Sequence, residues 1–125
     1  MTQIFMVGIG GFIGSILRHL LSTWVNKSHG FPMTSLGTLA VNLTGCFFIG
    51  LISGLVEERV PLSPEFRLLV LTGLLGGFTT FSTFSLESYH YLKASEILHF
   101  SLNIGMNVIL GIALMGFGLY LSKQL

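Results

Sequence analysis

A run of hydroxyl-bearing residues lies where a membrane-spanning segment would ordinarily be apolar. Residues 78–85 read FTTFSTFS and follow the glycine pair Gly76 and Gly77, in the middle of a hydrophobic segment over residues 66–92. Polar groups at bilayer depth are costly unless they find partners, and they usually mark function. Glycines there permit a local helix break, which is tolerated where the backbone is buried in protein or lines a cavity. We predict that this stretch, with its helix broken, is the working part.

Three phenylalanines, Phe78, Phe81 and Phe84, recur at every third position of the same stretch. An aromatic ring has a negative face and a positive edge, so ring edges can contact an anion without a fixed positive charge. The alternative is a stripe that packs against the core or lipid, and the spacing alone favours this alternative.

Asparagines supply a second set of polar groups. Asn42 lies four residues after Thr38, and Asn107 lies four residues after Asn103, so each pair projects from one helix face. A side-chain amide offers two N–H donors and one acceptor oxygen. These faces either line a narrow polar track beside the hydroxyl run or act as interhelical hydrogen-bond glue. Three asparagines together with the hydroxyl run favour the track.

Two charged residues lie towards the ends of apolar segments. Arg18 either snorkels to the membrane surface or sets the electric field at a pore mouth, and we interpret Glu87 as a solvated vestibule residue. The histidines show no metal-ligand spacing, and the sequence has no nucleophile–histidine–acid pattern and no phosphate-binding glycine loop. We therefore predict that the protein is not an enzyme.

Membrane helices must position these residues. Hydrophobic residues make up 51% of the 125 and charged residues 9%, against about a quarter charged in soluble domains. Four stretches, about residues 4–24, 36–56, 66–92 and 97–121, have the roughly 20 apolar residues that a membrane helix needs. We predict one domain, residues 1–125, that is an all-α integral membrane bundle of four transmembrane helices. The net charge of +1 argues against a nucleic-acid partner.

The length of the third segment places its predicted break. Residues 66–75 would reach about 15 Å as a helix, which is half of the hydrocarbon core. The break would then fall near the midplane, where discontinuous transporter helices place their ion sites. Elsewhere, the spacing of Gly10 with Gly14 and of Gly50 with Gly54 predicts close helix packing.

The basic residues give no preferred orientation in the membrane. Four spans would put Arg59, Arg67 and Lys123 on one side, and Arg18, Lys27 and Lys93 on the other. Since this balance offers no positive-inside bias, the chain can insert both ways. We hypothesise a dual-topology homodimer whose two copies are antiparallel.

Three strings resemble the Fluc/CrcB family of fluoride channels. TGLLGGFTTFSTFSLE over residues 72–87 closely resembles the family signature, and GTLAVNLTG over 37–45 resembles its second span. GGFIGSILR over 10–18 resembles the first span, and the pair Asn103 and Asn107 resembles the fourth. The resemblance covers essentially the whole chain, in order and at family length.

The resemblance implies an antiparallel dual-topology dimer in the bacterial inner membrane, with two pores that passively export fluoride. It places Phe81 and Phe84 as the rings whose edges meet the ion, and Asn42 as a pore-lining donor. Further matches are listed by role: polar pore positions Thr38, Thr83, Asn103 and Asn107; pore-mouth residues Arg18 and Glu87; and backbone carbonyls of Gly76 and Thr79 that would hold a structural sodium ion (Na+) at the dimer axis.

Two other functions remain as alternatives. A small dual-topology multidrug exporter would need a carboxylate embedded in the membrane, whereas the five glutamates fall at or near span ends. A membrane assembly subunit without transport is disfavoured by the hydroxyl-lined break, and a flux assay separates it from a channel.

Overall fold

The computed structural model describes residues 1–28, 35–58 and 62–125. Its helices, in chain order, are α1 Thr2–Ser28, α2 Ser35–Glu58, α3 Pro64–Arg67, α4 Gly76–Phe78, α5 Phe81–Lys93, α6 Ile97–Gly105 and α7 Gly111–Gln124. Two π-helical segments join these helices: π1, Leu68–Leu75, between α3 and α4, and π2, Met106–Leu110, between α6 and α7. Arg59, which entered the charge balance, lies outside the described residues.

Four helical runs in these described ranges are long and apolar enough to cross a membrane. They cover Thr2–Ser28, Ser35–Glu57, Pro64–Lys93 and Ile97–Gln124, and they contain the four predicted segments with a few more residues at their ends. The described residues are therefore all-α, with the four long apolar helices of a multi-pass membrane protein, as composition predicted.

Glycines on α1 bring the first part of the third span into backbone contact. A Cβ atom added to Gly10 would lie 2.7 Å from Leu74 N and 2.9 Å from Gly73 Cα, and one added to Gly14 would lie 2.8 Å from Phe78 N. A side chain at either position would separate the helices, so the predicted packing role of both glycines is confirmed.

The second and fourth spans pack in the same way. A Cβ on Gly50 would collide with the Met115 carbonyl, and one on Gly54 would collide with the hydroxyl of Ser122. Ser122 is fully buried, which shows that this contact belongs to the interior. The two glycine-mediated contacts hold α1 to the third span and α2 to α7.

The third span leaves helical geometry at two residues between α4 and α5. Thr79 has φ −77° and ψ 158°, and Thr80 has φ −147° and ψ 116°. The Thr80 hydroxyl accepts a hydrogen bond from Thr83 N at 3.2 Å, so Thr80 is the N-cap of α5. The chemistry-bearing stretch is thus divided between two extended residues and the first turns of a new helix.

The glycine pair that suggested the interruption is itself helical. Gly76 has φ −64° and ψ −37°, which are ordinary α values. Gly77 serves close approach, because a Cβ there would lie 2.7 Å from the Gly11 carbonyl oxygen of α1. The non-helical residues therefore follow the glycines rather than coincide with them.

Candidate functional site

Asn42, on α2, binds both backbone groups of Thr80. The Asn42 Oδ1 accepts from the Thr80 N–H at 2.9 Å, and its Nδ2 donates to the Thr80 carbonyl at 3.1 Å. An extended residue between two helices cannot make helical hydrogen bonds, and its N–H and C=O still need partners when buried. Thr80 is 7% exposed, so Asn42 supplies the partners that water would otherwise provide.

The carbonyls of Gly76 and Thr79 lie beside this junction. Because the Thr80 N–H donates to Asn42, it does not donate to the Gly76 carbonyl four residues earlier. Gly76 is exposed, and an added Cβ there would meet no atom closer than 3.9 Å. The Thr79 carbonyl accepts from Arg18 Nη1 at 3.4 Å. Carbonyl oxygens suit a hard cation, so the donor chemistry fits an alkali ion, while the Arg18 charge would oppose it at Thr79.

Phe81 and Phe84 meet Asn42 and Asn107 around one cavity of about 280 Å³. The two ring centroids are 5.5 Å apart, with ring planes inclined by 51°. Phe84 is 8% exposed whereas Phe81 is 79% exposed, so one ring belongs to the interior and the other to the surface. Among the described residues, no charged side chain lines this cavity. The wall can therefore contact an ion through ring edges and polar hydrogens alone.

The Asn42 amide is fully engaged within the protein. One N–H donates to the Thr80 carbonyl and another to Asn107 Oδ1, at 2.9 Å. An anion that binds the Asn42 donors would have to replace one of these two acceptors. The predicted role of Asn42 as a pore-lining donor therefore requires one of its two hydrogen bonds to open.

A second cavity, of about 230 Å³, shares Thr80 with the first. Its wall includes Arg18, Thr38 and Thr83, so it is polar and carries a positive charge. Most of the predicted site residues are thus divided between two cavities, while Gly76, Glu87 and Asn103 line neither. Thr80, which contributes to both walls, is the residue they have in common.

Glu87 is joined to Thr38 at the edge of this site. Thr38 Oγ1 donates to Glu87 Oε1 at 2.6 Å. The other carboxylate oxygen, Oε2, is buried and has no hydrogen-bond partner in the described part of the chain. We interpreted Glu87 as a solvated residue, but the structure places it half-buried, because α5 turns that side towards α2.

Asn103, predicted as a pore residue, lines neither of these two cavities. It is 6% exposed, and its Nδ2 donates to Ser88 Oγ at 3.0 Å. Asn107 lies in π2 and donates from Nδ2 to the Asn103 carbonyl at 2.9 Å and to Asn103 Oδ1 at 3.2 Å. Asn103 therefore reaches the cavity only through Asn107.

Sequence reasoning missed two residues that belong to this site. Thr80 was treated only as one member of the hydroxyl run. The signal that could have identified it is its position three residues before Thr83, because an N-cap side chain accepts from the N–H three residues later. Ser88 gave no signal, since its importance comes from a contact with Asn103 on another helix.

Comparison with known proteins assigns the chain to a family. Residues 5–119 match the family model described as CrcB-like protein, Camphor Resistance (CrcB). A Methanosarcina acetivorans protein named fluoride-specific ion channel FluC 1 is 47% identical, over 98% of this chain and 89% of its own length. Proteins named fluoride-specific ion channel FluC from Aquifex aeolicus and Rhizobium etli (strain CIAT 652) are 45% and 42% identical, over 100% of this chain and 100% and 99% of their own lengths. These relatives are named as channels rather than enzymes, and the chain belongs to the CrcB-like family, as the resemblance of residues 72–87 predicted.

Proposed function

We propose that this protein is a fluoride-selective channel through which fluoride leaves the cytoplasm passively, across the cell membrane. The observation that carries the proposal is the cavity where Phe81, Phe84 and Asn42 meet without a charged side chain from the described residues. The names of the three relatives, each called fluoride-specific, support the identity of the ion.

The wall of the cavity suits a small and strongly hydrated anion. A selective pore must replace the ion's water by donors at close range and must still release the ion. The ring edges of Phe81 and Phe84 offer partial positive charge without a fixed cation, and Asn42 offers N–H donors. Because both Asn42 hydrogens already have acceptors, the ion would exchange with one of them. Such an exchange limits how tightly the ion is held.

Arg18 would act before the narrow part of the path. It lines the second cavity together with Thr38 and Thr83, and a guanidinium charge raises the local concentration of anions. Glu87 accepts a hydrogen bond from Thr38, which belongs to the wall of this cavity. The second cavity, lined by Arg18, Thr38 and Thr83, then serves as the entrance. The first, which we call the aromatic cavity because Phe81 and Phe84 line it, serves as the selective segment.

The working unit in this proposal is an antiparallel dimer with two pores. Phe81 is 79% exposed although it forms the cavity wall, so a second copy would complete the enclosure. The three basic residues counted on each side of the membrane support insertion in both orientations. A reporter fused to the C-terminus should then be found on both sides of the membrane, and a single location would reject dual topology.

A structural sodium ion at the dimer axis is also part of the proposal. The carbonyls of Gly76 and Thr79 would hold it, with the same pair from the second copy. Bound there, the ion would neutralise carbonyl dipoles between the two copies and stabilise their association. The exposed backbone of Gly76 supports this placement, and loss of dimer on replacing sodium by a large organic cation would test it.

Fluoride efflux from liposomes tests the function directly. Purified protein is reconstituted, and fluoride and chloride release are followed with ion-selective electrodes in parallel, with no proton gradient. We expect rapid fluoride loss with little chloride loss. Fluoride retention by folded protein would reject the channel and favour an assembly subunit. Transport that requires a proton gradient would favour an exporter, with Glu87 as the carboxylate to examine.

A further inference from the structure

We infer that Asn107 is a positioning residue, which holds the Asn42 amide in place and through it the backbone of Thr80. The inference deepens the proposed channel function, since it concerns the same aromatic cavity. It assigns to the fourth span a role distinct from contact with the ion.

The orientation of the Asn42 amide is determined by its neighbours. Its oxygen faces the N–H of Thr80, which can only donate, so Oδ1 must lie on that side. Its nitrogen then lies beside the Thr80 carbonyl and Asn107, which must present an acceptor. A reversed amide would place oxygen against oxygen at the Thr80 carbonyl and nitrogen against the Thr80 N–H. Only one orientation of Asn42 satisfies Thr80.

Asn107 presents the required acceptor because its own donors are used elsewhere. Its Nδ2 donates to the carbonyl and to Oδ1 of Asn103, at 2.9 and 3.2 Å. An amide nitrogen has two hydrogens, so neither remains for an anion in the cavity. Its Oδ1 accepts from Asn42 at 2.9 Å. What Asn107 offers the cavity is an oxygen, which repels an anion, and its useful contact is with Asn42.

The chain of bonds continues to the helix that carries the phenylalanines. Asn103 Nδ2 donates to Ser88 Oγ at 3.0 Å, and Ser88 Oγ donates to the Phe84 carbonyl at 2.8 Å. The bonds run head to tail, from the N–H of Thr80 at the start of α5 to a carbonyl one turn into the same helix. Aligned hydrogen bonds polarise and strengthen one another.

This chain of hydrogen bonds connects four helical segments. Asn42 belongs to α2, Asn107 to π2 and Asn103 to α6, while the two ends are the Thr80 N–H at the N-cap of α5 and the Phe84 carbonyl on α5. Replacing Asn107 by an apolar residue would leave one N–H of Asn42 without an acceptor and would remove one of the three hydrogen bonds that hold its amide. The backbone of Thr80, and with it the Phe81 ring that follows, would lose its fixed position.

A double-mutant cycle separates positioning from ion contact. Asn107→Leu, which is similar in size and apolar, should lower fluoride efflux about fivefold in the otherwise native protein. In the Asn42→Ala background the same substitution should change efflux little, because the residue through which it acts is absent. An equal factor in both backgrounds would show that Asn107 contacts the ion independently and would overturn the inference.

Backbone hydrogen exchange tests the same inference without transport. In Asn107→Leu, the Thr80 amide should exchange about tenfold faster, because the hydrogen bond from Thr80 N–H to Asn42 should open about ten times more often. The matched control is Asn26→Ala, since Asn26 Oδ1 accepts from Gly37 N at 2.9 Å outside this chain. It should speed exchange at Gly37 and leave Thr80 and fluoride efflux unchanged.

The two readouts distinguish failure of the inference from failure of the proposed function. Unchanged exchange at Thr80 in Asn107→Leu overturns the positioning role whether or not the protein conducts. Absence of fluoride efflux from the native protein overturns the channel and leaves the exchange result to be judged alone. If Asn107→Leu does not fold, Ser88→Ala can replace it, because it removes the acceptor of Asn103. This variant should produce a smaller rise in Thr80 exchange. An unchanged exchange rate at Thr80 would then contradict the inference.

Discussion

The two halves of the third span are held in place by opposite means. Before the interruption, π1 and α4 lie against α1 at glycines that let the backbones touch, as at Gly14 beside Phe78. After it, α5 is joined to α2 and α6 by amide and hydroxyl contacts such as those of Asn42 and Asn103. Close backbone packing holds the first half without using polar side chains. At the interruption, polar side chains satisfy backbone groups and line the cavities. The substitutions below test this difference, from the largest expected effect to the smallest.

Asn42→Asp attacks the polar half most severely. A carboxylate would face the Thr80 carbonyl and Asn107 Oδ1, both acceptors, and would put a negative charge on the path of an anion. We expect fluoride efflux from liposomes to fall on the order of a thousandfold, as for an unpaired buried charge. Asn26→Asp, which keeps the acceptor used by Gly37 N, is the matched control and should conduct normally. Comparable conduction by the two variants would place Asn42 outside the path.

Gly14→Ala attacks the packed half. The new methyl group would lie 2.8 Å from Phe78 N and collide with the Leu74 carbonyl. Overpacking against backbone should lower the free energy of unfolding by about 3 kcal/mol, measured by thermal or denaturant unfolding in detergent. Gly8→Ala is the control, because no atom lies within 4 Å of a Cβ at Gly8. If both variants were equally stable, close backbone packing would not be what holds this half.

Phe81→Ile and Phe84→Ile separate conduction from stability within the polar half. Each should lower fluoride efflux about tenfold, the size of one aromatic contact. Phe84 is 8% exposed and Phe81 is 79% exposed in the single chain. Of these two variants, only Phe84→Ile should therefore also lower the unfolding temperature of the monomer. Phe117→Ile, at a ring 53% exposed and outside both cavities, should leave efflux unchanged. Normal efflux in both pore variants would remove the rings from the mechanism.

Thr80→Val should have the smallest effect. It removes the hydroxyl that accepts from Thr83 N but keeps the β-branched shape that suits extended backbone. Loss of the cap should lower the free energy of unfolding by about 1 kcal/mol, while Asn42 continues to bind the backbone of residue 80. Ser28→Ala, which removes a hydroxyl bond to Trp24 O at an exposed site, should change stability less. An effect larger than that of Gly14→Ala would mean that the Thr80 side chain, rather than Asn42, maintains the interruption.

The architecture and the place of the site could be predicted because they depend on local patterns. Segment length and composition predicted the four spans, and the spacing of Gly10 with Gly14 predicted a packing face that the structure confirms. The string over residues 72–87 predicted the family. Each of these signals lies within one helix or one short string.

The internal order of the site could not be predicted, since it depends on distant contacts. Asn42 and Thr80 are 38 positions apart, and no local pattern indicates that one amide binds both backbone groups of one residue. Asn103 and Asn107 look equivalent in sequence, yet one is buried against Ser88 and the other lines the cavity. Their difference arises from their partners on other helices, Ser88 for Asn103 and Asn42 for Asn107.

The dependence of Thr80 on Asn42 has a consequence for redesigning the protein. When proline or glycine interrupts a helix, the residue that causes the interruption lies in that helix, and moving the residue moves the interruption. Here the residue that satisfies the interrupted backbone, Asn42, lies on a different helix. Shifting the interruption by one turn would require coordinated changes on at least two spans, so this segment should resist stepwise engineering.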